Sequence, residues 1–328
     1  MIEVIGGAGF IGTRICARLD QSDYRFRVFD KRPCGRFEKH AKIGDIRNTE
    51  DLSAWLHEDS VVINLAAEHR DDVRPISLYD EVNVQGAKNL CEVCRAKKIT
   101  KVIFTSSVAV YGFSRIGTDE TGEIMPFNDY GRTKAEAEDV YRAWQAEDPE
   151  IRTLVIIRPT VVFGEQNRGN VYNLLKQVAS GRFLMIGNGT NRKSMAYVEN
   201  VAAFIIHSLS FGPGVHLYNY VDKPDLTMND LVSKIRSMLG KWQGGGLRVP
   251  YWAGYSLAKL TDVLALLTGR SFSISSIRVK KFCSNTVFNT SLEKTGFIAP
   301  VALDAALKKT VKHEFVEDHS EEELFFSE

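Results

Sequence analysis

The sequence predicts an α/β protein in which a doubly wound parallel sheet is followed by a smaller C-terminal lobe. In the first half of the chain, short apolar segments alternate with helical patterns, which is the order that builds a parallel sheet with helices on both faces. A glycine-rich segment separates the first apolar segment from the first helical pattern. After Arg158 and Pro159 the alternation ends, glycines cluster and the helical patterns become less regular.

Five segments have the nearly continuous apolar character of strands that are buried on both faces of a sheet. The predicted strands are residues 2–5, 25–29, 61–65, 101–105 and 154–157, and the predicted helices between them are residues 11–19, 51–56, 78–96 and 134–144. We predict a dinucleotide-binding domain over residues 1–165 and a substrate-binding lobe over residues 166–328, interleaved with the last elements of the sheet. The acidic tail from Glu314 is predicted to fray.

The composition excludes several classes of protein. Of the 328 residues, 44% are hydrophobic and 25% are charged, and the formal net charge of +1 gives no reason to expect a nucleic-acid partner. No apolar run approaches the roughly 20 residues that span a bilayer, and no charged signal-peptide segment precedes the first strand. Cys91 and Cys94 share a helix face, which indicates core thiols rather than a metal site. We therefore expect a cytoplasmic protein without a bound metal.

The glycine-rich segment, residues 6–12 (GGAGFIG), follows the first strand and opens the first helix at Phe10 and Ile11. Gly6, Gly9 and Gly12 allow a sharp turn, a close approach of the backbone to a pyrophosphate, and close packing of the helix on the sheet. The helix N-terminus then directs its N–H groups toward the phosphates. In this context the segment predicts a Rossmann-type dinucleotide site.

The second strand ends at Asp30, whose carboxylate is suited to accept hydrogen bonds from the adenosine ribose. The same charge would repel the additional phosphate of NADP, so NAD is the expected cofactor. Lys31 and Arg32 either soften that discrimination or are solvated loop charges. Further contacts with the dinucleotide are predicted for Asp45, Ile46, Leu65, Ala66 and Ala67.

Tyr130 and Lys134 are four residues apart at the start of a helical pattern, so they share a helix face. A tyrosine ordinarily loses its proton near pH 10. A neighbouring ammonium and a cationic nicotinamide favour the phenolate, which makes Tyr130 a candidate general base. Upstream, residues 104–112 (FTSSVAVYG) end a predicted strand in hydroxyl groups. Ser107, with Ser106 as the alternate, would bind the reacting oxygen, whereas a local backbone cap is the alternative role for each serine.

The segments GGAGFIG, TSSVAVYG and YGRTK, in this order, resemble the signatures of the extended short-chain dehydrogenase/reductases, the NAD-dependent epimerase/dehydratase family. The resemblance implies that Ser107, Tyr130 and Lys134 are the catalytic triad of an isomerase acting on sugars. It implies that Asn83 supports the site from a neighbouring helix and that Arg158 lies beside the nicotinamide. It also implies a homodimer.

The resemblance extends into the C-terminal lobe, where it aligns Asn170 with an asparagine that contacts the substrate diphosphate. Enzymes of this family that act on UDP-sugars usually carry an arginine where this chain has Lys193, with Arg192 beside it. Cationic groups suit a diphosphate. The departure leaves the recognition of uridine open.

A narrower resemblance is carried by residues 66–73, 170–177, 218–225 and 278–283. These segments are similar to enterobacterial epimerases of O-antigen assembly, in lipopolysaccharide biosynthesis. This similarity implies 4-epimerisation between GlcNAc and GalNAc carried on diphospho-undecaprenol, with Arg278 among the substrate contacts. A UDP-sugar 4-epimerase, a nucleotide 4-keto-sugar reductase and a non-catalytic dinucleotide sensor remain as alternatives.

Residues 249–267 are mostly apolar and aromatic, with Arg248 and Arg270 at their ends. A helix of this composition could lie on an anionic membrane and receive a polyprenyl tail. The alternative is a helix in the core or in a dimer interface. The first interpretation would place a cytoplasmic protein peripherally at the inner membrane.

Overall fold

A central sheet of seven parallel strands organises the protein, which a computed structural model describes over residues 1–70, 73–241, 247–268, 275–319 and 322–326. Its strands are β1 (Ile2–Ile5), β2 (Phe26–Asp30), β3 (Ala41–Ile43), β4 (Val61–Asn64), β5 (Lys101–Thr105), β6 (Thr153–Pro159) and, later in the chain, β10 (Gly214–Tyr220). Their order is β10-β6-β5-β4-β1-β2-β3, so the order reverses between β4 and β1. In such sheets ligands bind outside the carboxyl ends of the strands at this reversal. The five predicted strands are present, with small differences at their ends.

Helices cover both faces of this sheet, as the sequence predicts. They are α1 (Phe10–Asp20), α2 (Thr49–Trp55), α3 (Ser77–Tyr79), α4 (Gly86–Ala96), α5 (Asp129–Ala146) and α7 (Val198–His207). One core layer lies under α1 and α7 and contains Phe204, and the other lies under α2, α4 and α5 and contains Trp144. Cys91 and Cys94 are buried in the second layer, which confirms that they are core thiols.

The C-terminal lobe adds short strands and further helices. These are β7 (Val161–Phe163), β8 (Met185–Ile186), β9 (Arg192–Tyr197), β11 (Asp222–Thr227), β12 (Arg248–Val249), α6 (Asn170–Ala179), α8 (Met228–Met238), α9 (Tyr251–Thr268), α10 (Ser276–Cys283) and α11 (Leu303–Phe315). A three-stranded sheet, β11-β9-β7, shares a core with α6, α8 and α11. The helices α9 and α10 pack on each other. Among the described residues, no helix combines the length and the apolar character needed to cross a membrane.

The C-terminal tail is packed against the body of the protein where it is described, so the prediction that it frays was wrong for these residues. The carboxylate of Glu314 accepts a hydrogen bond from the Gln166 backbone N–H at 2.6 Å and pairs with Arg168 at 2.7 Å. Phe325 is buried, and its ring centroid lies 5.9 Å from that of Phe10 at the start of α1. Composition indicated a solvated tail because these partners are distant in sequence.

Candidate active site

The glycine-rich segment forms a tight turn that leaves no room for side chains at two positions. A Cβ on Gly6, where φ is +81°, would lie 2.7 Å from the backbone nitrogen of Ala66. A Cβ on Gly12 would lie 2.5 Å from the carbonyl oxygen of Gly6. The helix α1 begins after Gly9, and no side chain of the described residues caps it. Its first N–H groups therefore remain available to an anion at the sheet reversal.

Asp30 lies at the carboxyl end of β2, directly beside this turn. Its carboxylate is largely buried and accepts hydrogen bonds from the backbone N–H groups of Ala8 and Arg32, both at 2.9 Å. The Arg32 guanidinium donates to the Ala8 carbonyl at 3.1 Å, whereas Lys31 is exposed and lies 3.6 Å from Glu68. A fixed negative charge thus faces the position that a ribose would occupy next to the glycine turn.

The other predicted cofactor contacts lie in the segments after β3 and β4. Asp45 pairs with Arg47 at 2.7 Å, and hydrogen bonds from Arg47 lower the pKa of this carboxyl. Ile46 is buried, and after β4 the Asn64 side chain accepts the Ala66 N–H at 3.0 Å. That bond fixes the turn formed by Leu65, Ala66 and Ala67. These residues form a small-residue wall beside the glycine turn.

The structure brings Ser107, Tyr130 and Lys134 together where β5 ends and α5 begins. Asn128 caps α5 by accepting the Gly131 N–H at 3.0 Å, which sets the start of the helix that carries Tyr130 and Lys134. Ser107 follows β5, accepts the Ala109 N–H at 3.1 Å and shares a side-chain hydrogen bond with Tyr130. The backbone cap considered for Ser107 is therefore present, and its hydroxyl also reaches Tyr130. Its bond to the reacting oxygen stays a prediction.

Burial determines the protonation of this pair in the cofactor-free protein. Burial raises the pKa of Tyr130, and the hydrogen bond from Ser107 opposes that shift. Burial lowers the pKa of Lys134 to about 7, against the attraction of the Glu138 carboxylate. The Lys134 ammonium lies 4.3 Å from the centroid of the Phe104 ring. The pair is thus kept close to neutral, and a bound cation would be needed to favour the phenolate.

A buried polar network lies beneath the triad. Glu138, one helical turn after Lys134 on α5, forms a bidentate ion pair with Arg158 at 2.8 and 2.5 Å. Ser106 donates to the same carboxylate at 2.5 Å. Arg158 also donates to the Tyr111 hydroxyl at 2.6 Å, which in turn donates to Asn219 at 2.8 Å. The polar groups of Ser106 and Arg158, which we expected at the ligand, are thus engaged inside the protein.

Sequence reasoning missed Glu138 and Tyr111 as parts of this network. A signal for Glu138 existed, because it lies four residues after Lys134 and so shares its helix face. The partners of Tyr111 could not be found in this way, because Arg158 and Asn219 come from two other strands of the sheet.

Asn83 ties the turn after β4 to the catalytic helix. It lies in a π-helical turn, Asp80–Gln85, that interrupts the long helix predicted over residues 78–96. Its amide accepts the Glu68 N–H at 2.8 Å and donates to the Glu68 carbonyl at 3.0 Å and to Thr133 at 2.9 Å. Thr133 lies directly before Lys134 on α5. Asn83 is buried, and these bonds join the turn after β4 to α5. Its support of the site stays a prediction.

The cations predicted for the substrate have different surroundings. The Lys193 ammonium donates to the backbone carbonyls of Lys281 at 2.8 Å and Ser284 at 2.7 Å, and burial lowers its pKa to about 8. Arg192 is exposed and donates to the Asp225 carbonyl at 3.3 Å. Asn170, at the start of α6, and Arg278, on α10, are also exposed.

A cavity of about 800 Å³ lies in the C-terminal lobe and was not foreseen from the sequence. Residues from β8, β12, α9 and α10 contribute to its walls. Among them are Ile186, Asn188, Arg248, Tyr251, Lys280 and Ser284. Two cations and no carboxylate line this cavity, so it is suited to an anionic group.

Comparison with known proteins identifies the family and two kinds of relative. The model of the family described as "NAD dependent epimerase/dehydratase family" matches residues 2–219. The chain is 45% identical over 329 residues to the N-acetyl-alpha-D-glucosaminyl-diphospho-ditrans,octacis-undecaprenol 4-epimerase of Escherichia coli O157:H7, covering 100% of this chain and 99% of that one. It is 30% identical to the UDP-glucose 4-epimerase of Vibrio cholerae over 284 residues, 82% of this chain and 85% of that protein.

Solved structures share the fold at lower sequence identity. The UDP-N-acetylglucosamine 4-epimerase from Bacillus cereus superposes with a TM-score of 0.75 at 17% identity, covering 94% of this chain and 97% of that one. The UDP-glucuronic acid 4-epimerase from the same organism, in complex with NAD, gives a TM-score of 0.72 at 20% identity, with 95% and 97% covered. At these identities the likeness shows a common fold.

Proposed function

Since this chain belongs to the NAD dependent epimerase/dehydratase family, we propose that it is an NAD-dependent isomerase that interconverts GlcNAc and GalNAc on a diphospho-undecaprenol carrier. One observation carries the substrate assignment: the 45% identity with the Escherichia coli O157:H7 enzyme, which extends over the whole of both chains. Identity at this level includes the C-terminal lobe, where the substrate specificity of this fold resides.

The residues present fit NAD. A Cβ on Gly6 or Gly12 would collide with the protein's own backbone, so glycine at these positions permits the tight turn that opens α1. The uncapped N-terminus of α1 then offers its N–H groups to a pyrophosphate. Asp30 supplies the negative charge that selects NAD over NADP. The residues that would hold the cofactor are Gly6, Gly9, Phe10, Ile11, Gly12, Asp30, Lys31, Asp45, Ile46, Leu65, Ala66, Ala67, Tyr130, Lys134 and Arg158.

When bound, NAD supplies a reversible hydride acceptor whose pyridinium carries a positive charge. Tyr130 removes the proton from the sugar 4-hydroxyl, and Ser107 donates a hydrogen bond to that oxygen as it becomes a carbonyl. Lys134 holds positive charge near the phenolate. After the 4-keto sugar has turned to present its other face, Tyr130 returns the proton to the oxygen. The two epimers differ only at C4, so no external oxidant is consumed.

The buried network supports this chemistry by positioning. Glu138 holds Ser106, which fixes the backbone that presents Ser107, and it also attracts the Lys134 ammonium. Asn83 fixes the position of α5 through Thr133. These bonds hold the catalytic groups in fixed positions. Fixed positions suit a reaction in which the sugar turns and each face of its C4 must in turn face the same nicotinamide.

The second candidate function is 4-epimerisation or 4-keto reduction of a UDP-sugar, favoured by the 30% identity with the Vibrio cholerae enzyme. Against it stands Lys193, which occupies the position of the usual arginine and whose ammonium is engaged by two backbone carbonyls. Asn170, Arg192, Lys193 and Arg278 remain proposed substrate contacts.

Further parts of the proposal concern organisation. We propose a dinucleotide-binding domain over residues 1–165, a substrate-binding lobe over residues 166–328 and a homodimer. A lipid-linked substrate also requires contact with the membrane, which we propose is peripheral, at the cytoplasmic face of the inner membrane, and made through residues 249–267.

The experiment that tests this function offers two substrates separately. The protein, with NAD, is incubated with GlcNAc-diphospho-undecaprenol in detergent or with UDP-GlcNAc in buffer, and the sugar is released and analysed for the 4-epimer. We expect GalNAc from the lipid-linked substrate at a kcat/KM far above that for UDP-GlcNAc. Turnover of the nucleotide substrate alone would overturn the lipid-linked assignment. Net formation of NADH with release of the 4-keto sugar would indicate an oxidoreductase in place of an epimerase.

A further inference from the structure

The helix α9 presents large apolar side chains to solvent along the side that points away from the lobe. Trp252 is 72% exposed, Leu260 62% and Leu257 56%. The same side, called here the outer face of α9, also exposes Val263 and Leu264. A contiguous exposed apolar surface of this kind on a globular protein marks a place where another apolar surface binds.

The inner side of α9 is built from small residues. Ala258 is fully buried, and a Cβ on Gly254 would lie 2.8 Å from the Cγ2 atom of Ile186. In an ordinary surface helix the large apolar side chains face the core and the polar ones face water. Because α9 has the reverse arrangement, packing within the chain does not account for its apolar residues.

Basic residues outnumber acidic residues in the part of the sequence that contains α9 and α10. Residues 248–283 contain six basic residues and one acidic residue. The basic residues are Arg248, Lys259, Arg270, Arg278, Lys280 and Lys281. The acidic residue, Asp262, is occupied by the backbone N–H of Ser276, 3.2 Å from each carboxylate oxygen, at the start of α10. An apolar face with a basic fringe matches a bilayer that contains anionic lipids, which offers both hydrocarbon and negative charge.

The basic residues of α10 also connect this surface to the catalytic segments. Lys280 lies 4.6 Å from the centroid of the Phe113 ring, and Lys281 lies 4.8 Å from that of Phe127. The two rings are 4.8 Å apart. Phe113 follows the segment that carries Ser107, and Phe127 precedes the Asn128 cap of α5. A substrate arriving at α10 is therefore next to both segments that carry the triad.

The cavity in the lobe borders the same surface. Tyr251, at the start of α9 and next to the exposed Trp252, and Lys280, on α10, both line it. With the lipid tail held at the outer face, the diphosphate attached to it could enter this cavity and meet its two cations, Arg248 and Lys280. The arrangement thus joins an apolar surface, a cationic cavity and the catalytic segments in one continuous region.

We infer that the outer face of α9, with the basic residues of α10, docks on the surface of an anionic phospholipid bilayer and receives the lipid-linked substrate there. This inference rests on the proposed function, since only a substrate with a lipid carrier has to be met at a membrane. The helix lies along the interface. A second copy of the chain is a poorer occupant, because a twofold contact would bring two basic fringes together with a single acidic residue on each.

Vesicle binding tests the docking surface without any substrate. The full chain, with NAD, is sedimented with vesicles of phosphatidylglycerol and phosphatidylcholine, or of phosphatidylcholine alone. We expect binding to the anionic vesicles, and the double variant Leu257→Ser/Leu260→Ser should weaken it by about tenfold or more, since apolar burial drives interfacial binding. The single variant Lys259→Gln should weaken it by about fivefold. Ile298→Ser, at a residue that is 87% exposed outside this surface, should leave binding unchanged.

Three results would overturn the inference. The first is that the wild-type protein does not bind anionic vesicles. The second is that the double leucine variant binds them as well as the wild type does. The third is that the wild-type protein is a dimer, that the leucine substitutions dissociate it, and that they leave vesicle binding unchanged. Circular dichroism and the turnover of lipid-linked substrate in detergent show whether the leucine variant is folded and active. Vesicle binding lost while epimerisation in detergent persists is the expected behaviour of that variant. The wild-type protein could instead epimerise the lipid-linked sugar in detergent without binding vesicles. That result would refute the docking surface and leave the proposed function intact.

Discussion

The helices α5 and α9 are each 18 residues long, and they are built in opposite ways. The helix α5 buries its large side chains, among them Trp144, together with Lys134 and with Glu138, which is paired with Arg158. The helix α9 buries Gly254 and Ala258 and exposes Trp252. The difference shows that α5 is shaped by the core of this chain, whereas the exposed apolar side chains of α9 fit the docking surface proposed above.

The largest expected difference between the two helices concerns catalysis. Tyr130→Phe on α5 removes the proposed general base, and we expect kcat for epimerisation to fall on the order of 10³-fold, about 4 kcal/mol of transition-state stabilisation. Tyr255→Phe on α9 removes the same hydroxyl from a tyrosine that stacks on Tyr251, and kcat in detergent should not change. NAD binding, followed by fluorescence titration, should be retained in both variants. Full activity of Tyr130→Phe would remove the tyrosine from the mechanism.

A matched pair of tryptophans measures how differently the helices contribute to stability. Trp144 is fully buried in α5 and Trp252 is exposed on α9. Trp144→Ala should lower the free energy of unfolding by about 3–5 kcal/mol, because it leaves a cavity in the core. Trp252→Ala should change it by less than about 0.5 kcal/mol, because this exposed side chain buries little apolar surface in the folded protein. Urea unfolding monitored by circular dichroism compares the two, and similar losses would show that α9 is packed like α5.

Lys193 sharpens the comparison, because it ties β9 to the end of α10. Its ammonium donates to the carbonyls of Lys281 and Ser284. Lys193→Met removes the ammonium from both carbonyls, of which that of Ser284 keeps only a long bond, at 3.5 Å, from the Asn191 amide. We expect the free energy of unfolding to fall by about 1–3 kcal/mol. Arg192→Gln, at the exposed neighbour, is the control and should change it by less than about 0.5 kcal/mol. If Lys193→Met instead leaves stability intact and raises only KM, the ammonium belongs to the substrate.

Lys134 is expected to make the free energy of unfolding depend on pH. Burial lowers its pKa from 10.5 in the unfolded chain to about 7 in the cofactor-free folded protein. Between these values the unfolded state binds more protons, so folding stability should rise as the pH increases from 7 toward 10. One such group contributes at most about 1.4 kcal/mol per pH unit.

Urea unfolding at several pH values, in wild type and Lys134→Met, isolates this contribution. The variant should lose the rise, whereas Lys259→Met on the exposed side of α9 should keep it. An unchanged slope in Lys134→Met would mean that the amine stays charged in the folded protein throughout this range.

The fold could be predicted largely from the sequence because each central strand is buried on both faces. That burial makes residues such as 2–5 and 101–105 nearly continuous apolar segments, which are visible without a structure. Strands β3 and β10 were not predicted, since their sequences mix polar and apolar residues. The packing of the tail was missed because Glu314 finds its partners at Gln166 and Arg168, far away in the chain.

At the candidate site, the predictable part was local in sequence. The glycine turn and the pair Tyr130 and Lys134 follow from spacing alone, since turns and helices have fixed periods. The network of Glu138 and Arg158 depends on strands that meet only in the folded sheet. No helical or strand periodicity in the sequence indicates such a contact. Exposure was the other hidden quantity, because the composition of residues 249–267 fits a core helix as well as an interfacial one.

The measurement that tests the central claim most directly follows the hydrogen at C4 of the sugar. GlcNAc-diphospho-undecaprenol deuterated at C4 is incubated with the protein and NAD in detergent, and the released GalNAc is analysed by mass spectrometry. Because the hydrogen leaves C4 as hydride and returns within one closed cycle, we predict GalNAc that retains the deuterium, with no net reduction of NAD. GalNAc that carries hydrogen from water at C4, or that forms without NAD, would contradict the account.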